Sequence, residues 1–343
     1  MCVRRAASFS LLLAVLALVS ILPARGWGAT LDRVKARGEV ICGTTSRLAG
    51  FAQADPRRGW SGFDVDYCRA IAAALFNDPS KISFVLLAPS ERLSALQSGD
   101  IDILTDNIPW MLSREPAHDL LFTAINFFDG EGFMVHQKLN ISSVLELSGG
   151  TVCVQQGTAN EVSLADFFHT HQMSYEEVGF SSADAALKAF NEGACDAIAS
   201  ESSWLYAQRA SLASPADNII LPEIVSKEAF GMIVRQGDDQ WFNLVKWVHF
   251  AMLDAEEAGV GSGNADAKLS ADDPDARRLL GAEGDLGDGL GLTRDWAYRI
   301  VKLVGNYGEV FDRNLGESSN LKMKRGLNAL WSRGGLQYAP PVR

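Results

Sequence analysis

The residues best suited to chemistry in this 343-residue chain are its cysteines. Four of the five lie beyond the N-terminal segment, namely Cys42, Cys68, Cys153 and Cys195, and none belongs to a Cys-x-x-Cys motif. An even number of cysteines favours disulfides in an oxidising compartment, and four cysteines allow three pairings. Buried free thiols are the alternative.

Other reactive patterns are absent from the sequence. It has no nucleophile elbow, P-loop or Gly-x-Gly-x-x-Gly turn. The Gly-Glu-Gly at residues 130–132 opens a predicted strand rather than a helix, so it cannot cradle a phosphate. His169 and His171 match no metal-ligand spacing, and we expect neither a metal nor a cofactor. The carboxylates show no spacing that demands acid–base catalysis, although a pair assembled by the fold remains an alternative.

Residues 1–28 have the composition of a secretory signal peptide. Arg4 and Arg5 precede an apolar run from Phe9 to Leu22, and small residues follow it. The run is short for a membrane span, and an uncleaved anchor is the weaker alternative. Loss of this segment, which holds three arginines and no acid, changes the net charge from −11 to −14. The signal peptide predicts an exported protein. A chain so acidic is repelled by the phosphates of nucleic acids, so we expect no nucleic-acid partner.

Two stretches of the chain repeat one pattern. Residues 93–104 and 187–198 each contain the end of a helix, then a glycine, then an aspartate (Asp102 or Asp196) that precedes a short apolar strand. Each stretch is preceded by two predicted strands, at 39–44 and 82–87 in the first copy and at 151–155 and 175–180 in the second. Strands that alternate with helices predict an α/β fold with parallel sheets. The shared order of elements predicts two similar lobes, and chance similarity is the weaker alternative.

The predicted lobes are interleaved along the chain. Residues 30–133 form the first part of lobe 1, residues 134–226 form lobe 2, and residues 227–343 return to lobe 1 and add a helical extension. We interpret residues 129–135 and 223–235 as the crossing strands of a hinge. The return segment is predicted to contain helices at 238–258, 277–280, 295–304 and 321–331, with a loop over 259–290 and a turn at 305–308.

This organisation favours one pairing of the cysteines. Cys42 and Cys153 lie on the first strand of their lobes, Cys68 lies on the first helix, and Cys195 begins a third strand. First and third strands are neighbours in a doubly wound sheet, so a Cys153–Cys195 bond is reasonable. A Cys42–Cys68 bond would join a strand to the helix packed on it. Both bonds stay within a lobe and leave the lobes free to move.

Several segments resemble family 3 periplasmic solute-binding proteins, and among them the general L-amino-acid-binding components of ABC importers. The resemblance runs from Thr30 to Arg343. It implies a type II periplasmic binding-protein fold in which each lobe is a mostly parallel doubly wound sheet. It also implies a monomer in the periplasm that is not an enzyme. The protein would bind an L-amino acid in the cleft and present it to an inner-membrane permease with its ATPase. The segments are Gly62–Ile71, Val152–Thr158, Asp238–Phe242, Gly305–Glu309 and Leu336–Pro341.

The resemblance assigns the two charges of an amino acid to two residues. A zwitterion buried between lobes needs a partner for each charge. Arg114 falls at the position of the family's carboxylate clamp, where a guanidinium can bind both oxygens. Glu201 falls at the end of the third strand of lobe 2 and would bind the ammonium group. A solvated surface pair is the alternative for both residues.

Four further residues are expected to contact the ligand. Gly157 and Thr158 follow the first strand of lobe 2 and would offer backbone N–H groups at the start of a helix. Phe51 would form a wall of the side-chain pocket, with ordinary core packing as the alternative. Met111 completes the expected set.

Departures from the family's pattern affect this expected site. Glu201 stands in place of an aspartate, Pro109 and Met111 in place of threonines, and Arg47 in place of a glycine. Lost hydroxyls, a longer carboxylate and an added cation predict a broad or altered range of amino acids. A dehydratase-type enzyme that uses Glu201 as acid or base, and a sensory receptor, are the alternatives on the same scaffold.

Overall fold

The computed structural model describes residues 30–45, 48–57, 59–112, 114 and 119–342, so the predicted signal peptide lies outside the described residues. The helices are α1 (Thr30–Arg37), α2 (Phe63–Phe76), α3 (Arg92–Ser98), α4 (Ala159–Thr170), α5 (Ala183–Asn191), α6 (Ser202–Ser211), α7 (Asp239–Glu257), α8 (Ala265–Lys268), α9 (Pro274–Leu279), α10 (Trp296–Leu303) and α11 (Tyr307–Asn314). The strands are β1 (Val40–Thr44), β2 (Gln53–Asp55), β3 (Gly59–Ser61), β4 (Ile82–Leu86), β5 (Ile103–Leu104), β6 (Leu120–Asp129), β7 (Glu131–His136), β8 (Thr151–Gln155), β9 (Glu176–Phe180), β10 (Ala197–Glu201), β11 (Asn218–Ile220) and β12 (Glu228–Arg235). None of the described helices is both long and apolar enough to cross a lipid bilayer.

Two five-stranded sheets form the two lobes. The first has the order β4-β1-β5-β12-β6 and the second the order β11-β7-β10-β8-β9. In each sheet two strand pairings are parallel and two are antiparallel. The sheets are therefore mixed, whereas the sequence predicted mostly parallel ones. The antiparallel pairings all involve β7 or β12, the strands by which the chain enters the second sheet and returns to the first.

The chain changes sheet at Gly130. Asp129 ends β6 in the first sheet and Glu131 begins β7 in the second, a few residues before the predicted boundary at 133/134. The return lies between β11 and β12. A Cβ at Gly130 would lie 2.4 Å from the carbonyl oxygen of Ser226, so the two crossing segments touch and only glycine fits between them. The Glu131 amide donates to Ser226 Oγ at 2.9 Å.

Helix α2 lies at the centre of the first lobe. Its residues from Phe63 to Ala74 are buried except Arg69, because β1 lies on one side of the helix and α7, α10 and α11 pack against it elsewhere. The N-terminus of α7 is capped by Asp238, whose Oδ1 accepts from the Trp241 amide at 3.1 Å. The indole of Trp241 is fully buried and donates to the Asp102 carbonyl at 3.0 Å.

The C-terminal extension packs on the first lobe and differs in part from its predicted elements. The predicted turn at 305–308 contains the start of α11, because Asn306 and Glu309 form a reciprocal capping box. The predicted helix at 321–331 is wrong: this segment holds the 3-10 turn at 326–328 and the first residue of another at 331–333, and no α-helix. Lys322 adopts a positive φ of 54°, and the Met323 amide bonds to the Leu315 carbonyl instead of to a helical partner.

The structure contains two disulfides, Cys42–Cys68 and Cys153–Cys195. The first joins β1 to α2 and the second joins β8 to the residue two positions before β10. Each disulfide lies within one lobe, the first in lobe 1 and the second in lobe 2, in the pairing expected from the positions of the cysteines. They fix neighbouring elements of each lobe and do not cross the hinge.

Candidate functional site

A cavity of about 540 Å³ lies between the two lobes. The first lobe contributes residues that follow β1 and β5, which are adjacent parallel strands whose carboxyl ends meet at one edge of the sheet. The second lobe contributes the start of α5 and the junction of β10 with α6, and β12 completes the wall. The lining residues are Thr44, Thr45, Leu48, Ala52, Asp106, Asn107, Pro109, Asp184, Glu201, Ser203, Trp204, Gln208, Glu228 and Phe230.

A hydrogen-bonded network fixes the first-lobe wall. Asp106 Oδ1 accepts from the amide of Thr45 at 2.8 Å and from its hydroxyl at 2.6 Å. Asp106 Oδ2 pairs with Arg92 Nη1 at 2.7 Å. Because both carboxylate oxygens have partners, the charge of Asp106 is matched within the protein.

The second-lobe wall is built around the junction of β10 and α6. Glu201 is the last residue of β10 and the N-cap residue of α6, and it lines the cavity. Ser200 Oγ donates to Glu201 Oε2 at 3.0 Å. Below it, the buried Asp129 accepts from the amide and hydroxyl of Ser203. Burial nevertheless raises the pKa of Asp129 to about 6.

Arg114 lies beside the cavity and does not line it. Its Nη1 donates to the carbonyl of Pro109, which does line the cavity, at 2.6 Å. Partial burial and the nearby Arg92 lower the pKa of Arg114, while Glu228 acts in the opposite direction. Arg114 therefore lies close enough to Glu228, a lining residue, for the cation and the carboxylate to interact at this end of the cleft.

The structure does not bring Gly157 and Thr158 to the cavity. Thr158 is the N-cap of α4, accepting from the Glu161 amide at 3.4 Å and donating to the Gln155 carbonyl at 2.7 Å. The Gly157 amide donates to Glu161 Oε2 at 2.6 Å. That amide, expected to face a ligand, bonds here to the side chain of its own helix.

Phe51 and Met111 also lie away from the cavity wall. Phe51 is fully buried and packs edge-on against Phe63 and Phe127, so it belongs to the aromatic core. The wall beside it is formed by Leu48 and Ala52 instead. Met111 is exposed, and its carbonyl accepts from the Arg114 amide at 2.9 Å. Arg47, the added cation, lies outside the described residues.

Two more carboxyl groups lie at the crossing between the lobes. Glu228 lines the cavity, and burial together with Glu201 and Asp129 raises its pKa to about 7. Glu131 is fully buried, and neither of its carboxyl oxygens has a hydrogen-bond partner among the described residues. Burial, and then the charges of Glu201 and Glu228, raise the pKa of Glu131 to about 9. In the described part of the chain, no three potential ligands form a metal site.

Sequence reasoning missed most of the cavity wall. Thr45, Asp106 and Asn107 follow directly after β1 and β5, and polar residues at the carboxyl ends of neighbouring parallel strands are a signal for such a site. The sequence gives a weaker indication that Glu131 and Glu228 belong to the site, because their closeness depends on how β7 and β12 pair with other strands.

Comparison with known proteins places the chain among binding proteins. Residues 40–259 match the family of bacterial extracellular solute-binding proteins, family 3. The chain is 49% identical over 316 residues to the general L-amino acid-binding periplasmic protein AapJ of Rhizobium johnstonii, covering 92% of this chain and 93% of that protein. It is 45% identical over 328 residues to the glutamate/glutamine/aspartate/asparagine-binding protein BztA of Rhodobacter capsulatus, covering 95% and 97% respectively.

A solved structure has a similar overall fold. The ABC transporter periplasmic binding protein from Brucella ovis with glutathione bound superposes with a TM-score of 0.79 at 49% identity, and the match covers 92% of this chain and all of that one. The sequence match spans the strands of both sheets and both crossings, and the structural match adds most of the extension. The chain therefore belongs to the bacterial extracellular solute-binding proteins, family 3.

Proposed function

We propose that this protein is the periplasmic amino-acid-binding component of an ABC importer. Relatives that align over nearly the whole chain are named for amino-acid binding, among them the Rhizobium and Rhodobacter proteins. The signal-peptide composition of residues 1–28 agrees with export to the periplasm. The protein acts as a monomer that captures its ligand and presents it to a membrane permease driven by an ATPase.

The observation that carries this proposal is the charge arrangement at the cavity between the lobes. Glu201 lines its second-lobe wall, and Arg114 lies beside its first-lobe wall next to Pro109. An α-amino acid carries an ammonium and a carboxylate on one carbon, and each must be matched when it leaves water. Arg114 binds the carboxylate and Glu201 binds the ammonium group in the loaded protein.

Ligand binding is coupled to closure of the two lobes. The wall of the cavity comes from both sheets, while the chain connects them at Gly130 and between β11 and β12. A ligand held by Arg114 on one side and Glu201 on the other interacts with both lobes at once only when they are close. It therefore shifts the population towards the closed form.

The ligand range follows from the same pair of charges. The γ-glutamyl end of glutathione, the molecule bound to the Brucella relative, carries an ammonium and a carboxylate on one carbon. Arg114 and Glu201 would match that end as they match a free amino acid. Gly157 and Thr158 at the start of α4, together with Met111, do not line the cavity in this structure, so their contact with the ligand requires that closure of the lobes bring them to it.

The test is a thermal-shift screen of the purified mature protein against the common L-amino acids and glutathione. We expect at least one amino acid to raise the melting temperature, and Arg114→Ala to abolish that shift. Arg278→Ala is the control, because Arg278 pairs with Asp275 on α9 and does not line the cavity. The proposal fails if no amino acid stabilises the protein, and the role of Arg114 fails if both variants respond like the wild type.

A further inference from the structure

Glu131 is a buried carboxyl group that the proposed zwitterion site leaves unused. It is fully buried, and no described residue donates to either of its oxygens. Glu131 pairs directly with Glu201 across antiparallel strands β7 and β10. Residues paired in this way project to the same face of the sheet, so the Glu131 side chain lies on the face from which Glu201 reaches the cavity.

The groups that face Glu131 are mainly acidic. The charges of Glu201 on β10 and Glu228 on β12 both raise the pKa of Glu131, and the charge of Asp129 on β6 raises the pKa of Glu228. Tyr175, just before β9, is within electrostatic reach of Glu131. Among the described cations, Arg114 is close enough to Glu228 to lower its pKa. The described residues lining the cavity include no lysine or arginine.

Charge balance then limits which ligand fits best. Asp106 is matched by Arg92, and Asp129 by the hydrogen bonds from Ser203. A zwitterion that places its carboxylate on Arg114 and its ammonium on Glu201 adds no net charge. Glu131 and Glu228 therefore remain unmatched when such a ligand is bound. A buried carboxylate without a partner is costly, so it must keep its proton or gain a cation.

We propose that Glu131 and Glu228 select ligands that carry a cationic side chain in addition to the α-ammonium group, so that a basic amino acid is the preferred ligand. This inference rests on the proposed amino-acid-binding function. Glu228 lines the cavity and contacts the side-chain cation. Glu131 lies beside Glu201 on the neighbouring strand and does not line the cavity, so it adds its charge without touching the ligand.

Binding of such a ligand is coupled to release of a proton. Glu131 and Glu228 hold protons when the neighbouring cation is absent, since burial raises the pKa of both groups. A cation placed beside them favours the charged carboxylates and displaces protons. A ligand that favours the deprotonated form binds more tightly as pH rises, so affinity for a basic amino acid increases between pH 6 and about pH 8.5.

The experiment is calorimetric titration of the purified mature protein with L-arginine and with L-citrulline, its uncharged counterpart of similar shape. We expect arginine to bind at least about tenfold more tightly than citrulline at neutral pH. Titration in two buffers of different ionisation enthalpy should show proton release with arginine and less with citrulline. L-glutamate and glutathione, which carry extra negative charge, should bind more weakly than citrulline.

Three variants test the role of the carboxyl groups. Glu131→Gln and Glu228→Gln should each reduce the arginine preference several-fold and reduce proton release. Glu192→Gln, which removes an exposed carboxylate paired with Lys188, should leave the preference unchanged. Circular dichroism establishes that each variant is folded, and Glu228→Gln keeps the test open if Glu131→Gln does not fold.

The outcomes separate this proposal from the function on which it rests. Citrulline or glutamate binding as tightly as arginine would overturn the cation preference and leave amino-acid binding intact. An unchanged arginine preference in both folded glutamine variants would overturn the roles of Glu131 and Glu228. Binding of no amino acid at all would overturn both proposals.

Discussion

Glu131 and Glu201 lie directly opposite each other on the antiparallel strands β7 and β10. Like charges in such a pair repel, and here one of the two groups is fully buried without a hydrogen-bond partner in the described structure. The pair lies next to Gly130, where the chain passes from one sheet to the other. The electrostatics of the cleft and the connection between the lobes are therefore built from the same short segment.

The buried carboxyl groups predict how stability depends on pH. The pKa of Glu131 is raised from 4.5 to about 9 and that of Glu228 to about 7, so the folded state holds protons that the unfolded state has released. Stability then falls as pH rises. We expect the free energy of unfolding without ligand to drop by roughly 2–3 kcal/mol between pH 7 and pH 9, measured by urea denaturation.

The measurement is made above pH 7 because His249 makes stability rise, not fall, with pH at lower pH. Burial lowers the pKa of His249 to about 3, so stability from this residue rises with pH up to its ordinary pKa and is constant above it. Glu131→Gln stays neutral and should flatten the decline above pH 7. A wild-type protein that is equally stable at pH 7 and pH 9 would contradict the protonation of Glu131.

Gly62 is predicted to tolerate no side chain. It precedes α2 with a φ of 135°, and a Cβ there would lie 2.1 Å from the carbonyl oxygen of Phe51. We expect Gly62→Ala to cost more than about 3 kcal/mol of unfolding free energy. Gly193→Ala is the matched control: it has a φ of 80° with open space around it and should cost about 1 kcal/mol. Equal losses would show that the close approach to Phe51 is not limiting.

The Cys153–Cys195 disulfide is predicted to stabilise the second lobe without affecting ligand recognition. It closes a loop with a sequence separation of 42 and joins elements of one sheet only. Replacing both cysteines by alanine should lower the free energy of unfolding by about 2–4 kcal/mol. Ligand affinity of the folded variant should equal that of the wild type. A folded variant that no longer binds would mean that the disulfide positions the cleft.

Asn328 is predicted to tie the C-terminal extension to β6, the strand that leads into the crossing at Gly130. Its side chain accepts from the Phe128 amide at 2.7 Å and donates to the Phe128 carbonyl at 2.8 Å. Asn328→Ala leaves both backbone groups without these partners and should cost about 1–3 kcal/mol in denaturant unfolding. The exposed Asn320→Ala should change stability by less than about 0.5 kcal/mol. Matching effects of the two substitutions would remove the structural role of Asn328.

Elements with strong local signals could be predicted from the sequence. Strand β8 has the predicted bounds, and α7 differs from the predicted helix by one residue at each end. In α7 the signal is the Asp238 cap followed by apolar residues at helical spacing. The predicted helix at 321–331 had no cap, and its residues bond to distant parts of the chain, which a local pattern does not encode.

The cleft was less predictable because it is assembled by strand pairing. Glu201 lines the cavity as expected from its place at the end of a strand. Phe51 was expected in the wall, yet it packs against Phe63 and Phe127, and nothing in the local sequence separates a wall from a core position. The pairing of Glu131 with Glu201 depends on the register of β7 against β10, which no local pattern predicts.

A crystal structure of the protein with a bound L-amino acid tests the central claim most directly. The account predicts closed lobes around the ligand, with the carboxylate within about 3 Å of the Arg114 guanidinium and the ammonium group bonded to Glu201. A ligand held elsewhere, or an Arg114 side chain still bonded to Pro109 and turned away from the carboxylate, would contradict it.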